Sequence, residues 1–378
     1  MERQGTWVYA PALFSLDSDH VFRLSSDAGP VQLPARSLAN EFFNPLPPSL
    51  LNSTGMEANN CSIDLQVAIV FVATHRIAGF QMFDQLRHGI GMFELFRATF
   101  PGRAAARARI LVLDTSHRAI DTLKLRAFPR LGEGLLLASL AMGFNRSTFA
   151  DRVADWPASR PLCVRAEAVA GGHSMYDEWG RHQAPLSSGS PRLHRFRRAI
   201  ANTLRVGRRA KGPGGVRWSA GVLVVLRRGP RRFVNEEDLL RSGLAERVQR
   251  ETGLPLSFVR LETLSVEEQF IRIAGTSILV GNHGAGLTWA ALLPSDAHNC
   301  AVIELHANAS SDGLPVDIRH FAGLAGIRHV PLPQKTSDEC HGQLIRSCGD
   351  VVVDSEELLR TIVTTARVLQ HRLKSGSQ

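Results

Sequence analysis

Ile278-Leu279-Val280-Gly281-Asn282-His283-Gly284-Ala285-Gly286-Leu287-Thr288-Trp289 runs from a short apolar β-type segment, through a glycine-rich turn holding one histidine, into a helix that stops at Pro294. Strand, glycine turn and helix in that order present backbone N–H groups and a helix N-terminus to an anion in α/β proteins. The same stretch also reads as a tight turn whose glycines only permit positive φ. Both readings stay open on this segment alone.

Working outward, the flanks are regular. Residues 220–226 form an apolar strand, and Asn235 reads as an N-cap with Glu236, Glu237 and Asp238 in the first turn. Leu240, Leu244 and Val248 continue that helix until Gly253. Residues 256–261 are a strand. Ser265 with Glu268 three residues on is a capping box, and Val266, Phe270, Ile273 and Ala274 are the buried side of its helix. Past the glycine turn come a strand at 301–305, a helix at 317–325 and a strand at 327–330. Asp354 caps an amphipathic helix through Leu358, Ile362, Ala366 and Leu369 to Leu373. Strands alternating with helices at short intervals predict a parallel, doubly wound sheet, hence an α/β fold.

The first half is less regular. Short β-type runs lie near Trp7–Tyr9 and 21–24 among scattered prolines. Asp17-Ser18-Asp19 has the Asp-x-Asp form used with divalent ions, but it follows no long buried strand and reads as a polar turn. Residues 65–74 form a strand. A helix at 80–96 carries Phe83, Leu86, Ile90 and Phe93 on one stripe, with Asp84 on its flank near the start. Asp84 there reads equally as a carboxylate complementing the helix dipole and as a group with chemistry to do. A strand at 109–114, a helix within 129–144 and a strand at 161–170 follow. The basic segment 192–209 runs into Lys211-Gly212-Pro213-Gly214-Gly215, which reads as a linker. The expected domains are therefore 1–210 and 211–340, with the helix 354–378 following the second.

The chain has 378 residues, 44% of them hydrophobic, and a net charge of +9, carried mostly by arginine. That suits nucleic acid, acidic membranes or phosphorylated small molecules. No zinc-knuckle spacing, RNP-like run or recognition helix favours nucleic acid. Cys61, Cys163, Cys300, Cys340 and Cys348 form no Cys-x-x-Cys pair, which argues against structural zinc and leaves pairing open. Sequons at Asn52, Asn60, Asn145 and Asn308 favour a secretory compartment. Met1-Glu2-Arg3-Gln4 opens no signal peptide, and no apolar run approaches a membrane span of ~20 residues. The expectation is a soluble protein or a luminal portion whose anchor lies elsewhere.

Three strand ends carry polar groups: the Arg227-Arg228-Gly229-Pro230-Arg231-Arg232 turn, the Asn282-His283-Gly284-Ala285-Gly286 turn, and Glu304. In an open parallel sheet ligands bind beyond such ends. Guanidinium forks hold phosphate oxygens bidentately, a helix end adds donors, and a carboxylate can hold ribose hydroxyls. The combination suits a nucleoside diphosphate. There is no G-x-G-x-x-G, no Walker Gly-Lys-Ser/Thr and no G-x-S-x-G elbow, which argues against dehydrogenase, P-loop and α/β-hydrolase readings.

Several blocks together resemble glycosyltransferase family 61. Residues 223–237, with Arg227, Arg231, Asn235 and Glu236, are similar to its SR-x-x-x-R-x-x-x-NE block. Leu264-Ser265-Val266-Glu267-Glu268-Gln269 is similar to its LS-x-x-EQ helix, and 280–288 to its VG-x-HGAGLT signature. The Val302-Ile303-Glu304-Leu305 strand follows at family spacing. The resemblance covers residues 221–330. It departs at Leu226, where the family has Ser, and at Phe80, where many members carry His four residues before Asp84.

That family includes plant xylosyltransferases, xylan arabinosyl- or xylosyltransferases, and animal enzymes adding N-acetylglucosamine to EGF-like domains or to O-mannose, all in the Golgi or endoplasmic reticulum lumen. The resemblance implies a GT-B fold of two facing Rossmann-like domains with the last helix returning to the first. It implies inverting transfer from a UDP-sugar donor to a glycan or glycoprotein acceptor, with no resident cofactor and no obligatory metal. Arg227 and Arg231 would contact the diphosphate, and His283, Gly284, Ala285 and Gly286 would complete the cradle. Gln269 and Glu304 would support the nucleoside. Asp84, from the first domain, and His283 are the candidate bases. A catalytically inactive relative that binds nucleotide sugar or glycan is the alternative.

Overall fold

The computed structural model divides into two compact units, Met1–Gly180 and Arg181–Gln378. In the first it describes eight strands as backbone, helical positions between 86 and 97, and residues 133–143. In the second it describes 190–206, 221–229, 231–294, 300–307, 316–336 and 349–375. Asp84, Phe80, the Asp17-Ser18-Asp19 turn, the 211–215 linker, all four sequons, Cys61, Cys340 and Cys348 lie outside the described residues.

The first unit holds one sheet of β1 (Trp7–Tyr9), β2 (Ala12–Leu16), β3 (Phe22–Ser25), β4 (Pro30–Gln32), β5 (Ile63–Ala73), β6 (Ile110–Asp114), β7 (Arg126–Ala127) and β8 (Leu162–Gly172). Its main order is β3-β2-β8-β5-β6-β7, with β1 pairing β4 and β8. Only β8, β5 and β6 are mutually parallel. The sheet is mixed, which corrects the expectation of a wholly parallel one. The connection from β2 to β3 is far shorter than the crossover of about a dozen residues that a parallel pair requires, so these two pair antiparallel; β1 also pairs antiparallel with β4 and β8, and β2 with β8. The β5–β6 crossover is long enough for a helix, and Leu86, Ile90, Phe93 and Phe96 on it are buried. Helix α1 (Glu133–Ala141) completes the described elements.

The second unit begins with the basic helix α2 (Pro191–Thr203), not with the linker. Leu193, Phe196, Arg197 and Ile200 are buried, and Arg197 Nη1 donates to the Leu293 carbonyl at 2.5 Å. So this basic helix spends one side on packing. Then come β9 (Val222–Val225), α3 (Glu236–Arg241), α4 (Leu244–Thr252), β10 (Leu256–Val259), α5 (Val266–Ala274), β11 (Ile278–Asn282), a 3-10 helix (Ala285–Leu292), β12 (Ala301–Ala307), α6 (Val316–Ala325), β13 (Arg328–Thr336), β14 (Val351–Val352) and α7 (Ser355–Ser375). The sheet order is β10-β9-β11-β12-β13-β14, parallel except for β14. Strand order therefore reverses between β9 and β11, which is the topological switch point of an open α/β sheet.

The register aligns Val225, Gly281, Glu304 and Pro331 across four strands. Side chains alternate between faces along each strand. Val222, Val224, Ile278, Val280, Ala301 and Ile303 pack on one face against Leu244 and Val248 of α4 and Leu358, Leu359, Ile362, Val363, Ala366 and Leu369 of α7. Each Val, Leu or Ile among these contributes about 1.5–3 kcal/mol by leaving water. The apolar stripe of α7 is thus spent on the core of the second unit. Leu223, Val225, Leu279 and Gly281 lie on the other face, where the 3-10 helix packs on β11 and β12.

Local signals mostly hold. Ser265 Oγ accepts from Glu268 N, and Glu268 Oε2 accepts from Ser265 N, a complete capping box. Asp354 Oδ1 accepts from the Glu356 and Glu357 amides. Asn235 does not cap α3. Its side chain exchanges two hydrogen bonds with the Val353 backbone instead, at 2.9 and 2.8 Å. The expected single helix is broken at Gly243, which takes φ 68°.

Candidate active site at the carboxyl end of the second sheet

Arg227 follows β9 and lies two residues past Val225, so alternation places it on the face of Gly281 and Glu304. The turn after it is sharp: Gly229 has φ 85° and Arg231 φ 64°. A side-chain-bearing residue in the left-handed region costs roughly 1–2 kcal/mol. The turn is pinned on both sides. Arg228 N donates to Glu262 Oε1 at 3.1 Å. Arg232 N and Nε donate to the two oxygens of Asp350 at 3.1 and 3.2 Å, and Val351 N donates to the Arg232 carbonyl at 3.1 Å.

The glycine turn is held from the same side. Asn282, buried at the end of β11, donates Nδ2–H to the Gly349 carbonyl at 2.7 Å. His283 N donates to the Leu305 carbonyl at 2.7 Å. Residues 349–351 thus fasten the arginine turn and the glycine turn together, from a stretch with no sequence signal of its own. The segment read as a helix after the turn is 3-10, opened by Leu287 N donating to the Gly284 carbonyl at 2.9 Å.

Gly284 is where the two turns meet. Its φ is 147°, and a Cβ there would stand 2.7 Å from Arg227 Nη1 and 2.9 Å from Arg231 Nη1. Both guanidinium groups therefore rest on the bare Cα of the turn. Arg227 Nη1 is buried with no hydrogen-bond partner among the described residues. A buried donor left unmade costs about 1–3 kcal/mol, more when charged. An anion shared by the two guanidiniums would remove that cost and their mutual repulsion.

Glu304 is placed differently. It is 1% exposed, with Oε1 2.6 Å from His283 Nδ1 and Oε2 2.6 Å from His329 Nε2. Burial pushes its pKa up, but hydrogen bonds and charge from His283 and His329 pull it further down, and the net shift is below the usual carboxylate value. Both oxygens are taken and neither reaches solvent, which corrects the expectation that Glu304 supports a nucleoside. Among the described residues no three His, Cys, Asp or Glu groups converge as metal ligands do; Glu304 lies between the imidazoles.

The structure brings Arg227, Arg231, His283, Gly284 and Glu304 to one end and face of the sheet. Ala285 and Gly286 open the 3-10 helix beside them. Gln269 is buried in α5, and its Nε2 donates to the Leu264 carbonyl at 3.1 Å, a local contact. His329 and Asp350 escaped the sequence reading, and Asn282 entered it only as part of the glycine turn. His329 had a usable signal, since alternation in the strand next to β12 places it on the Glu304 face. Asp350 had none.

No family model and no curated protein matches the chain. Among solved structures, a diflavin flavoprotein A3 from Nostoc sp. is similar over 43% of this chain and 99% of its own, at 12% identity and TM-score 0.27. Rubredoxin oxygen:oxidoreductase from Desulfovibrio gigas is similar over 56% of this chain and 45% of its own, at 12% identity and TM-score 0.28. Similarity at this level carries no argument about fold or cofactor.

Proposed function

We propose that the second unit binds the diphosphate of a UDP-sugar between Arg227, Arg231 and residues 284–286, and that the protein is an inverting glycosyltransferase. It moves N-acetylglucosamine or a pentose to a hydroxyl of a glycan or glycoprotein. The observation that carries this is the pair of guanidiniums over Gly284, one with a buried, partnerless Nη1, at the switch point of the sheet. The family 61 blocks name the anion, and with them come the GT-B arrangement, the Golgi or endoplasmic reticulum lumen, and transfer without an obligatory metal. Among the described residues no helix is long and apolar enough to cross a membrane.

In this reading the acceptor hydroxyl attacks the anomeric carbon from the face opposite UDP. The sugar–phosphate bond breaks, and the charge developing on the departing diphosphate meets fixed cations. Preorganised charge of this kind is usually the largest electrostatic term in catalysis.

The test is UDP release from UDP-N-acetylglucosamine, UDP-xylose and UDP-arabinose with EDTA present, beside calorimetric binding of UDP, FMN and pyrophosphate. FMN belongs in the set because mononucleotide binders also use this strand order. Turnover of one donor, with UDP bound more tightly than FMN, supports the reading. UDP binding without turnover of any donor supports the inactive relative, to which the Phe80 and Leu226 departures point. FMN binding in place of UDP overturns both.

A further inference from the structure

Glu304 presents a puzzle that diphosphate binding does not solve. A carboxylate in an apolar setting costs several kcal/mol unless it is well paired. An apolar residue would fill the same place between β11 and β13. Yet the charge is kept, and both of its oxygens are spent on imidazoles from the strands on either side.

An ionised carboxylate only accepts hydrogen bonds. Both imidazole nitrogens that touch it must therefore carry hydrogens: Nδ1–H of His283 and Nε2–H of His329. For His283 this decides the other nitrogen. In the neutral ring Nε2 then holds the lone pair. The His283 side chain is 21% exposed, and Nε2 is not among the buried atoms lacking a partner, so that lone pair faces the open side. His329, 10% exposed, closes the second oxygen and stops the carboxylate from turning away.

We propose that Glu304 is a positioning residue that holds His283 in the Nδ1–H tautomer, so that His283 Nε2 is the general base of sugar transfer, with His329 locking the carboxylate. This rests on the transferase reading above. As the acceptor oxygen forms its bond to the anomeric carbon, Nε2 takes the hydroxyl proton. The anomeric carbon–phosphate oxygen bond breaks, and its electron pair leaves with UDP. The imidazolium formed is stabilised by Glu304 and returns its proton to solvent. A neutral imidazole offers the diphosphate no donor from Nε2, which leaves that task to Arg227 and Arg231.

The charged and titratable groups on the His283 side of the described elements are Glu304 and, two residues on along the same face of β12, His306; His329 on β13, which reaches His283 through Glu304; and the two arginines over the adjacent Gly284. Removing the Glu304 charge withdraws stabilisation from the imidazolium. The acid limb of the rate profile therefore moves to lower pH while the plateau drops.

Three measurements on the full chain test this. Long-range proton–nitrogen NMR of the ligand-free protein at neutral pH should show His283 with Nδ1 protonated and Nε2 bare; the opposite tautomer overturns the proposal. His283→Ala should lower kcat by about 10²–10⁴-fold while leaving UDP affinity nearly unchanged; a loss of UDP affinity as large as that of Arg227→Ala overturns it. Glu304→Gln should shift the acid limb of kcat to lower pH, and an unmoved limb overturns it. His329→Gln is the milder variant if Glu304→Gln does not fold; it should give a smaller shift in the same direction, and no shift overturns the locking role. If the wild type turns over no donor, the transferase reading and the base role fall together. The tautomer assignment is still decided by the NMR arm.

Discussion

Two polar clusters share one face of the second sheet, and they are built on opposite terms. Over Gly284, positive charge is gathered, and Arg227 Nη1 is buried without a hydrogen-bond partner. One strand over, the negative charge of Glu304 has both oxygens matched by imidazole nitrogens at 2.6 Å. Folding alone favours satisfied polar groups, because a buried unmade bond costs stability. The first cluster is therefore incomplete as a fold and reads as a place for something else. The second is complete, and it reads as a device for setting the state of one of its members.

The sharpest way to break this contrast is Gly284→Ala. The methyl would enter the space of both guanidiniums at 2.7 and 2.9 Å, on a backbone at φ 147°. Each charged hydrogen bond to the diphosphate contributes about 1.5–3 kcal/mol. With both disturbed, UDP affinity should fall by at least about 100-fold by calorimetry. An affinity within a few fold of wild type would remove the guanidinium pair from the binding site.

A second pair of variants sets the clusters against each other in stability. Arg227→Leu should leave thermal stability unchanged or raised by up to ~1 kcal/mol, because it removes a charge the fold does not satisfy. It should still weaken UDP binding about 10- to 100-fold. Glu304→Leu should do the reverse to the fold, costing about 3 kcal/mol by stranding two imidazole N–H groups. Equal destabilisation by both changes would erase the distinction.

How much of this was legible depended on whether the signal was local. The alternation of strands and helices after residue 220 gave β9, β10, β11, β12, the capping box at Ser265 and the cap at Asp354, because each rests on contacts a few residues long. Gly284 and the two arginines could be nominated from their positions at strand ends. Their convergence depends on the β9–β11 pairing, which no local pattern states. The pairing of Glu304 is likewise tertiary. Read alone, it is a strand carboxylate facing solvent; in the sheet it is enclosed by neighbours from either side. Asn235 shows the same competition, a sound cap by type that the Val353 backbone outbids with two hydrogen bonds. In the first unit the short runs at Trp7–Tyr9 and 21–24 were readable, but not that β2, β1 and β8 would pair antiparallel.

A pH series sharpens the closed cluster. The folded pKa of Glu304 lies below its ordinary value of 4.5, with burial opposing and the two imidazoles outweighing it. Its stabilising contribution is therefore fully present above the unfolded value and lost as pH falls through the folded one. The stability gap between wild type and Glu304→Gln should be flat at neutral pH and shrink in acid below about 4.5, read by denaturant titration at each pH. A gap that widens in acid would mean that the carboxylate is protonated in the folded protein and that the tautomer assignment for His283 is wrong.

The smallest expected effect comes from the fastening between the turns. Asp350, 7% exposed, accepts from both the backbone and the side chain of Arg232, whose side chain is half exposed. Asp350→Asn keeps an acceptor for the Arg232 amide and removes the charge. A half-exposed pair of this kind contributes about 0–1 kcal/mol. The loss should appear first as a looser Arg231, one residue back, and only through it as weaker UDP binding, about 2- to 3-fold. Asp350 touches neither cluster directly, and the Asn282 bond to Gly349 remains to hold the glycine turn. If Asp350→Asn instead weakens UDP as much as Arg227→Leu, the 349–351 segment belongs to the binding cluster itself, and the boundary between the groups that hold the anion and those that only place them must be redrawn to include it.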